Sequence, residues 1–425
     1  MVGVAVVIIA IVVIVGFING KKCKPASLEM WGIYDEPEIF REFIDEYTKQ
    51  SKCKVTITYK KKAIENYEQE LINAFASDQG PDIWMRNNAW LPKHKDKIAE
   101  IPQELLKFTF ADFQNTFVDV TIDDLTEDSK IYALPLYVDT LALFYNKNYF
   151  NSAGIAYPPE TWDDLIADLN KLVIRNKWGG IDRAGISLGT AENINRATDV
   201  LSLVMLQNGT KMVSDNKETA TVNGSVILNG ESYYPGKDAL RFYTDFSNPT
   251  RINYTWNRQM PYSIDAFADG KSAMILNYAY QIPNLQSKNS YLSYGIAKMP
   301  QIKGRNFDVN FANYWAYTDF KKSKATEEAW RFLSFLASKD ISQRYLQKTD
   351  RPIARKDLKD WQVKDNLQLA VFAEQSLTAR SWYQIDPAPI EKIFSDAIES
   401  IVLGSATIDG AIEILNDQLN LLMNP

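Results

Sequence analysis

Apolar positions at helical spacing alternate along this chain with short apolar runs, and the order of the two predicts an α/β fold. Leu28–Trp31 and Val55–Tyr59 read as strands. Between them Ile39, Phe40, Phe43, Ile44 and Tyr47 recur one helical turn apart. That helix carries start signals: Asp35 in the N-cap position, Pro37 in the first turn, and Glu38 completing a capping box. Asn66–Ser77 repeats the pattern with Tyr67, Leu71, Ile72 and Phe75, and Asp82–Met85 reads as a third strand, with Trp84 facing the core. Ile131–Asn146 is a β-rich run broken by Pro135. Thr161 opens a helix with Asp164 three residues on, and Trp162, Leu165, Ile166, Leu169 and Leu172 form its apolar face. Residues 175–188 read as loop then strand, Leu201–Gln207 and Asp238–Phe246 as helical, and Ala273–Asn277 as a strand. Ala325–Ala337 is helical; the last two helices run from Ile390 to Leu403, stopped by Gly404, and onward from about Ile408. Strand–helix alternation of this kind predicts a mainly parallel sheet covered by helices.

One stretch stands outside the pattern. Val2–Ile18 is uncharged and strongly apolar; as a helix it would be ~26 Å long, near the thickness of the hydrocarbon core. No basic residues precede it, no A-x-A site follows, and Asn19–Lys22 replaces the small residues a lipoprotein signal needs before Cys23. The reading is an uncleaved transmembrane signal-anchor over 1–20, with the body on the extracytoplasmic side of the cell membrane. Lys21, Lys22 and Lys24 on the exit side run against the positive-inside tendency.

Composition narrows the function. The 425 residues suffice for two or three domains. A net charge of −6 argues against nucleic acid as the partner. His94 is the only histidine, which makes a histidine metal centre or a Ser-His-Asp triad hard to build; it is placed in a solvated loop without a role. Cys23 and Cys53 each precede a predicted strand of one βαβ unit, at the same sheet edge, and form a candidate disulfide.

Five stretches, in order, resemble the maltose-binding-protein-like family, the extracellular solute-binding proteins of sugar-type ABC importers. They are LEMWGIYDEPEIFREF; AFASDQGPDIWMRN; SKIYALPLYVDTLALFYNKNYFNSAGI followed by YPPETWDDL; FADGKSAMILNYAY with YGIAKMP; and the tail with its helix, Gly404 and terminal helix. Together they span residues 28–423. The lipobox is absent, Tyr280 stands where the family usually has Trp, and Asn216–Pro235 matches nothing. The resemblance implies a two-lobed periplasmic-binding-protein type II fold with a ligand cleft and a hinge. Lobe 1 would comprise 26–138 with 313–365 returning to it, and lobe 2 would comprise 139–312 with 366–425 returning. It further implies a monomer without a cofactor, working with an ABC permease and holding a carbohydrate, in the first instance an oligosaccharide.

A sugar site combines aromatic platforms with planar polar side chains, placed beyond the carboxyl ends of the strands. That rule selects Asp35 after the first strand, Arg86 and Asn87 after the third, Tyr278 and Tyr280 after Ala273–Asn277, Trp315 on a later crossover, and Trp382 before the penultimate helix. Asp139 follows the Tyr-Ala-Leu-Pro motif, where the family often places a ligand-binding acid. No metal ligands or catalytic residues are assigned. Gly185–Gly189 fits G-x-S-x-G but has no downstream histidine, and the acidic run Asp119–Asp128 reads as a solvated loop rather than a calcium site. Three other readings stay open: a binder of a non-sugar polar solute such as a polyamine or peptide, a two-carboxylate glycoside hydrolase, and a structural surface protein. A binder would change its tryptophan fluorescence with ligand and make no product, a hydrolase would release reducing ends, and a structural protein would do neither.

Overall fold

The computed structural model describes residues 25–228 and 230–424. The predicted membrane segment over 1–20 and Cys23, one half of the predicted bridge to Cys53, lie outside them. Among the described residues no helix is long and apolar enough to cross a membrane.

Strands β1 (Ala26–Gly32) and β2 (Val55–Lys61) pair in parallel over their full length, with α1 (Pro37–Gln50) between them burying Phe40, Phe43 and Tyr47. Helix α2 (Tyr67–Ala76) then leads to β3 (Ile83–Asn87), parallel to β1. Trp84 is fully buried there. In the second half of the molecule β4 (Ala142–Asn146) is the centre of an antiparallel sheet, flanked by β5 (Met274–Asn277) and β6 (Tyr294–Ala297). The chain then returns, and β7 (Trp315–Phe320) inserts antiparallel between β3 and the short strand Ile98–Ala99.

The apolar side chains fall into two main cores. One gathers residues between 28 and 138 with others from 312 onward, including Trp330, Leu333 and Leu346. The other gathers residues between 141 and 311 with the C-terminal helices, including Ile390, Phe394, Leu415 and Leu419. They define lobe 1 and lobe 2. Three segments cross between them and pair with one another: Leu141 N–H donates to Phe311 at 3.0 Å, Asn313 N–H to Asp139 at 3.1 Å, and Ala312 N–H to Arg380 at 2.9 Å. This narrow ribbon is the natural place for rotation, because it joins two separate apolar cores.

Local chemistry explains the elements that matter for the cleft. The Thr161–Asp164 capping box forms at the start of α3 (Trp162–Leu172). Gly404 ends the penultimate helix at φ +70°, a conformation glycine adopts without strain. Five expectations are revised. Glu36, not Asp35, occupies the N-cap of α1, and no side chain caps it; Asp35 is buried and turns inward. The run 131–146 forms two-residue pairings at 130–131 and 134–135 before β4, because the chain leaves lobe 1 there. Residues 174–183 form a small hairpin, Ile174–Arg175 with Ile181–Arg183. Within the acidic run Val120–Leu125 is helical and Asp124 is buried, not solvated. His94 is likewise buried rather than in a solvated loop, bonding Glu68 at 2.8 Å between the rings of Trp84 and Trp90.

Candidate functional site

The carboxyl ends of β1, β3 and β5 converge on the cleft, as the strand-end rule requires. On lobe 1, Tyr34 follows β1 and is 38% exposed. Its ring meets Trp315 edge-on at 5.9 Å, and Trp315 in turn packs on Trp90 at 4.9 Å. On lobe 2, Tyr280 follows β5 and is 47% exposed, its ring stacked on the fully buried Tyr278 at 5.8 Å. Arg196, in the left-handed region at φ +62°, immediately precedes α4 (Ala197–Asn208). Its Nε donates to the Tyr280 hydroxyl at 3.1 Å and its guanidinium lies over both tyrosine rings. Tyr34 is within electrostatic reach of Arg196 and Tyr280, so the two walls face each other.

Polar groups bridge the floor. Asn87 Nδ2 donates to Asn313 Oδ1 at 3.1 Å, and Asn313 Nδ2 donates to Asp199 Oδ2 at 3.2 Å. The Tyr278 hydroxyl donates to the same Asp199 oxygen at 2.7 Å. One continuous set of hydrogen bonds thus runs from lobe 1 through the hinge to lobe 2. Around it lies a cavity of about 60 Å³ lined by Asn87, Arg196, Asn313, Trp382 and Glu391 among others. A basin of about 580 Å³ adjoins it through Arg196, Thr198 and Glu391 and extends past Asn195 and Tyr262. A larger trough of about 1890 Å³ sits at the amino ends of β1 and β2, away from these groups.

The eight residues singled out from the sequence divide by position. Tyr280, Trp315 and Asn87 reach the cleft or its floor. Trp382 borders the small cavity, with Nε1 3.3 Å from Ser202 Oγ and its ring on Phe394. Asp139 is buried beneath the Tyr280 loop; its Oδ1 accepts from Thr140 and Ala279 N–H and its Oδ2 from Tyr280 N–H. Burial pushes its carboxyl up to about 7, against the pull of those N–H groups. Tyr278 is fully buried under Tyr280. Asp35 is buried in lobe 1, accepting from the Tyr345 hydroxyl at 2.8 Å and pairing with Arg351 at 2.7 Å. Arg86 is fully buried and donates to the carbonyls of Asn87, Asn88 and Asp124, and burial pulls its guanidinium down to about 10. Arg196, Asn195, Asp199, Tyr262 and Glu391 were not singled out. Nothing local marks them, since Arg196 meets Tyr280 from 84 positions away.

Asp124 ties the hinge to lobe 1. Its Oδ2 accepts from Asn88 Nδ2 and the Tyr314 hydroxyl, each at 3.0 Å, and its Oδ1 accepts from Ser381 Oγ. Burial pushes this carboxyl up to about 6. A second tie joins the lobes outright: Lys93 Nζ, on lobe 1, pairs with Glu68 at 2.8 Å and with Asp386 at 2.9 Å, the latter at the start of α5 (Pro387–Val402) in lobe 2.

The profile of the bacterial extracellular solute-binding proteins matches residues 42–371. The chain belongs to that family. Its members are binding proteins rather than enzymes, and the body is extracytoplasmic. The galactooligosaccharide-binding protein of Bacillus subtilis is 24% identical over 413 residues, covering 93% of this chain and 90% of the relative. Two solved structures share the fold. The cyclic α-maltosyl-1,6-maltose binding protein of Arthrobacter globiformis superposes with a TM-score of 0.77 at 19% identity, covering 94% of this chain and 99% of the other. The sugar-binding protein MalE of Xanthomonas citri gives 0.76 at 19% identity, covering 93% and 97%.

Proposed function

We propose that this solute-binding protein captures a carbohydrate between its lobes and hands it to an ABC permease, held at the membrane by residues 2–18. The observation that carries the reading is the pair of half-exposed rings, Tyr34 on lobe 1 and Tyr280 on lobe 2, each beside planar polar groups. A sugar's C–H faces lie against aromatic rings while its hydroxyls need fixed donors and acceptors. Arg196, Asn195, Asn87 and Asn313 supply those within the same cleft. Relatives whose names carry a saccharide support the same class.

The mechanism needs no covalent step. A ligand settles on the lobe 2 wall against Tyr280. Rotation about the three crossing segments brings Tyr34 and Trp315 over it, and the closed form is stabilised by whatever the ligand bridges. Release follows when docking on the permease favours the open form. Tyr278 and Asp139 act as positioning residues that hold Tyr280. Asp35 and Arg86 stabilise the loops after β1 and β3.

The test is a thermal-shift and tryptophan-fluorescence screen of the purified protein against saccharides, polyamines, amino acids and peptides. A ligand at 100 times its Kd should stabilise the protein by about 2.7 kcal/mol. A saccharide response supports the reading; a response confined to another class overturns the carbohydrate assignment.

A further inference from the structure

The charged groups that line the cleft and the basin beside it are paired, with one exception. Arg196 lies 3.9 Å from Asp199. Glu192 pairs with Arg258, and Lys392 with Asp396 at 2.7 Å. Glu391, in the second turn of α5, lines both the small interlobe cavity and the basin, so it stands where the two spaces meet. Among the described residues it makes no hydrogen bond or ion pair.

Glu391 is exposed, so its carboxylate is open to solvent and to any donor that a ligand brings into the cleft. Desolvation pushes the Glu391 carboxyl up from its ordinary range, while Arg196 opposes and Asp199 reinforces that shift. Arg196 does not satisfy it, being taken up by Tyr280 and Asp199. Trp382, which also lines the cavity, faces Ser202 and Phe394 instead. The wall at α5 is therefore an acceptor rather than a platform.

We propose that Glu391 is a ligand-contacting residue that accepts hydrogen bonds from the hydroxyl or ammonium groups of the saccharide and excludes anionic sugars. This rests on the carbohydrate reading and deepens it. The surplus negative charge selects neutral or amino-bearing sugars, because a uronate or phosphosugar would set like charges together.

The experiment titrates the full chain and its Glu391→Gln and Glu391→Ala variants with neutral probes (galactobiose, maltotriose, raffinose), a cationic one (the β-1,4 glucosamine dimer) and an anionic one (digalacturonate). Spermidine serves as the non-sugar control. Circular dichroism checks that the variants fold. The wild type should bind a neutral or cationic saccharide and not digalacturonate. Glu391→Ala should weaken that binding by about 10-fold or more, as expected for a lost charged hydrogen bond. Glu391→Gln should recover most of the affinity for a neutral sugar and none of the preference for the cation. Saccharide binding unchanged in Glu391→Ala, or wild-type binding of digalacturonate on a par with the neutral sugars, would overturn this proposal alone. Binding of spermidine with no saccharide, or of no probe at all, would overturn the carbohydrate reading and this proposal with it.

Discussion

Asp139 holds the loop that carries Tyr280: its Oδ2 accepts the Tyr280 backbone N–H at 3.2 Å while its Oδ1 takes the neighbouring Ala279 N–H at 3.0 Å. Asp139 lies on the first crossing segment, and Tyr280 is the exposed ring of lobe 2. The hinge and the platform are thus joined through one buried carboxyl. Asp139→Ala leaves three buried or half-buried N–H groups without an acceptor. Unsatisfied groups of this kind cost roughly 1–3 kcal/mol each. The variant should melt several degrees lower and bind its ligand at least ~10-fold more weakly, since each 1.4 kcal/mol is tenfold. Calorimetric melting and ligand titration check both.

The ring and the hydroxyl of Tyr280 have separable roles. Tyr280→Phe keeps the stacking face and loses only the contacts with Arg196 and Asn195. Its affinity should stay within a few-fold of wild type. Tyr280→Ala removes the platform and should lose about 10-fold or more, given ~0.5–1.5 kcal/mol for ring contacts beyond the area they bury. Equal losses in the two variants would assign the binding to the hydroxyl instead.

The Lys93–Asp386 pair spans the lobes beside the cleft. Half-exposed pairs contribute up to about 1 kcal/mol, enough to shift an open–closed balance a few-fold. Lys93→Met should open the ligand-free protein, visible as a larger radius of gyration in solution scattering. Added salt should mimic this in the wild type.

Three buried carboxyls contribute stability that is present in acid and lost as pH rises. Burial pushes Asp124 up to about 6, Asp139 to about 7 and Asp319 to about 8. Each folded pKa lies above the ordinary carboxylate value, so the folded state binds more protons than the unfolded state in between. Stability is therefore fully present below about pH 4 for these groups and falls as pH rises to their folded pKa. The loss approaches about 1.4 kcal/mol per pH unit for each group in its window. The Asp319 carboxyl, fully buried in β7 with Asp82 nearby, carries the widest window. Asp319→Asn should flatten the decline in melting temperature between pH 5 and 8 and raise stability at pH 8. An unchanged slope would mean that Asp319 is ionised in the fold.

The fold was legible wherever a local period or a cap decided it. The Thr161–Asp164 box, the βαβ start and the Gly404 stop depend on residues a few positions apart, and each forms. Asp35 was misread because the same signal, an acid ahead of Pro37, also suits a residue drawn inward by Arg351 and Tyr345, more than 300 positions later. Arg86, Tyr278 and Asp124 show the same limit. A strand-end position indicates nearness to the cleft but not which way a side chain turns, and that is set by partners distant in sequence, such as Asp124 for Arg86 and Asp199 for Tyr278. Arg196 and Glu391 lay beyond reach for the converse reason: their surroundings are assembled from four segments with no shared motif.

The insertion of β7 between β3 and Ile98–Ala99 bears on how the protein is made. A chain emerging amino end first has β1, β2 and β3 in hand by residue 87 but must wait until residue 320 for the strand that covers β3. Lobe 2 waits longer still, for Leu415 and Leu419 near the carboxyl end. Lobe 1 therefore gathers its last core residues near residue 379, and lobe 2 only when the last helix appears. Late closure of this kind leaves the apolar faces of both lobes uncovered for most of the time the chain is being made.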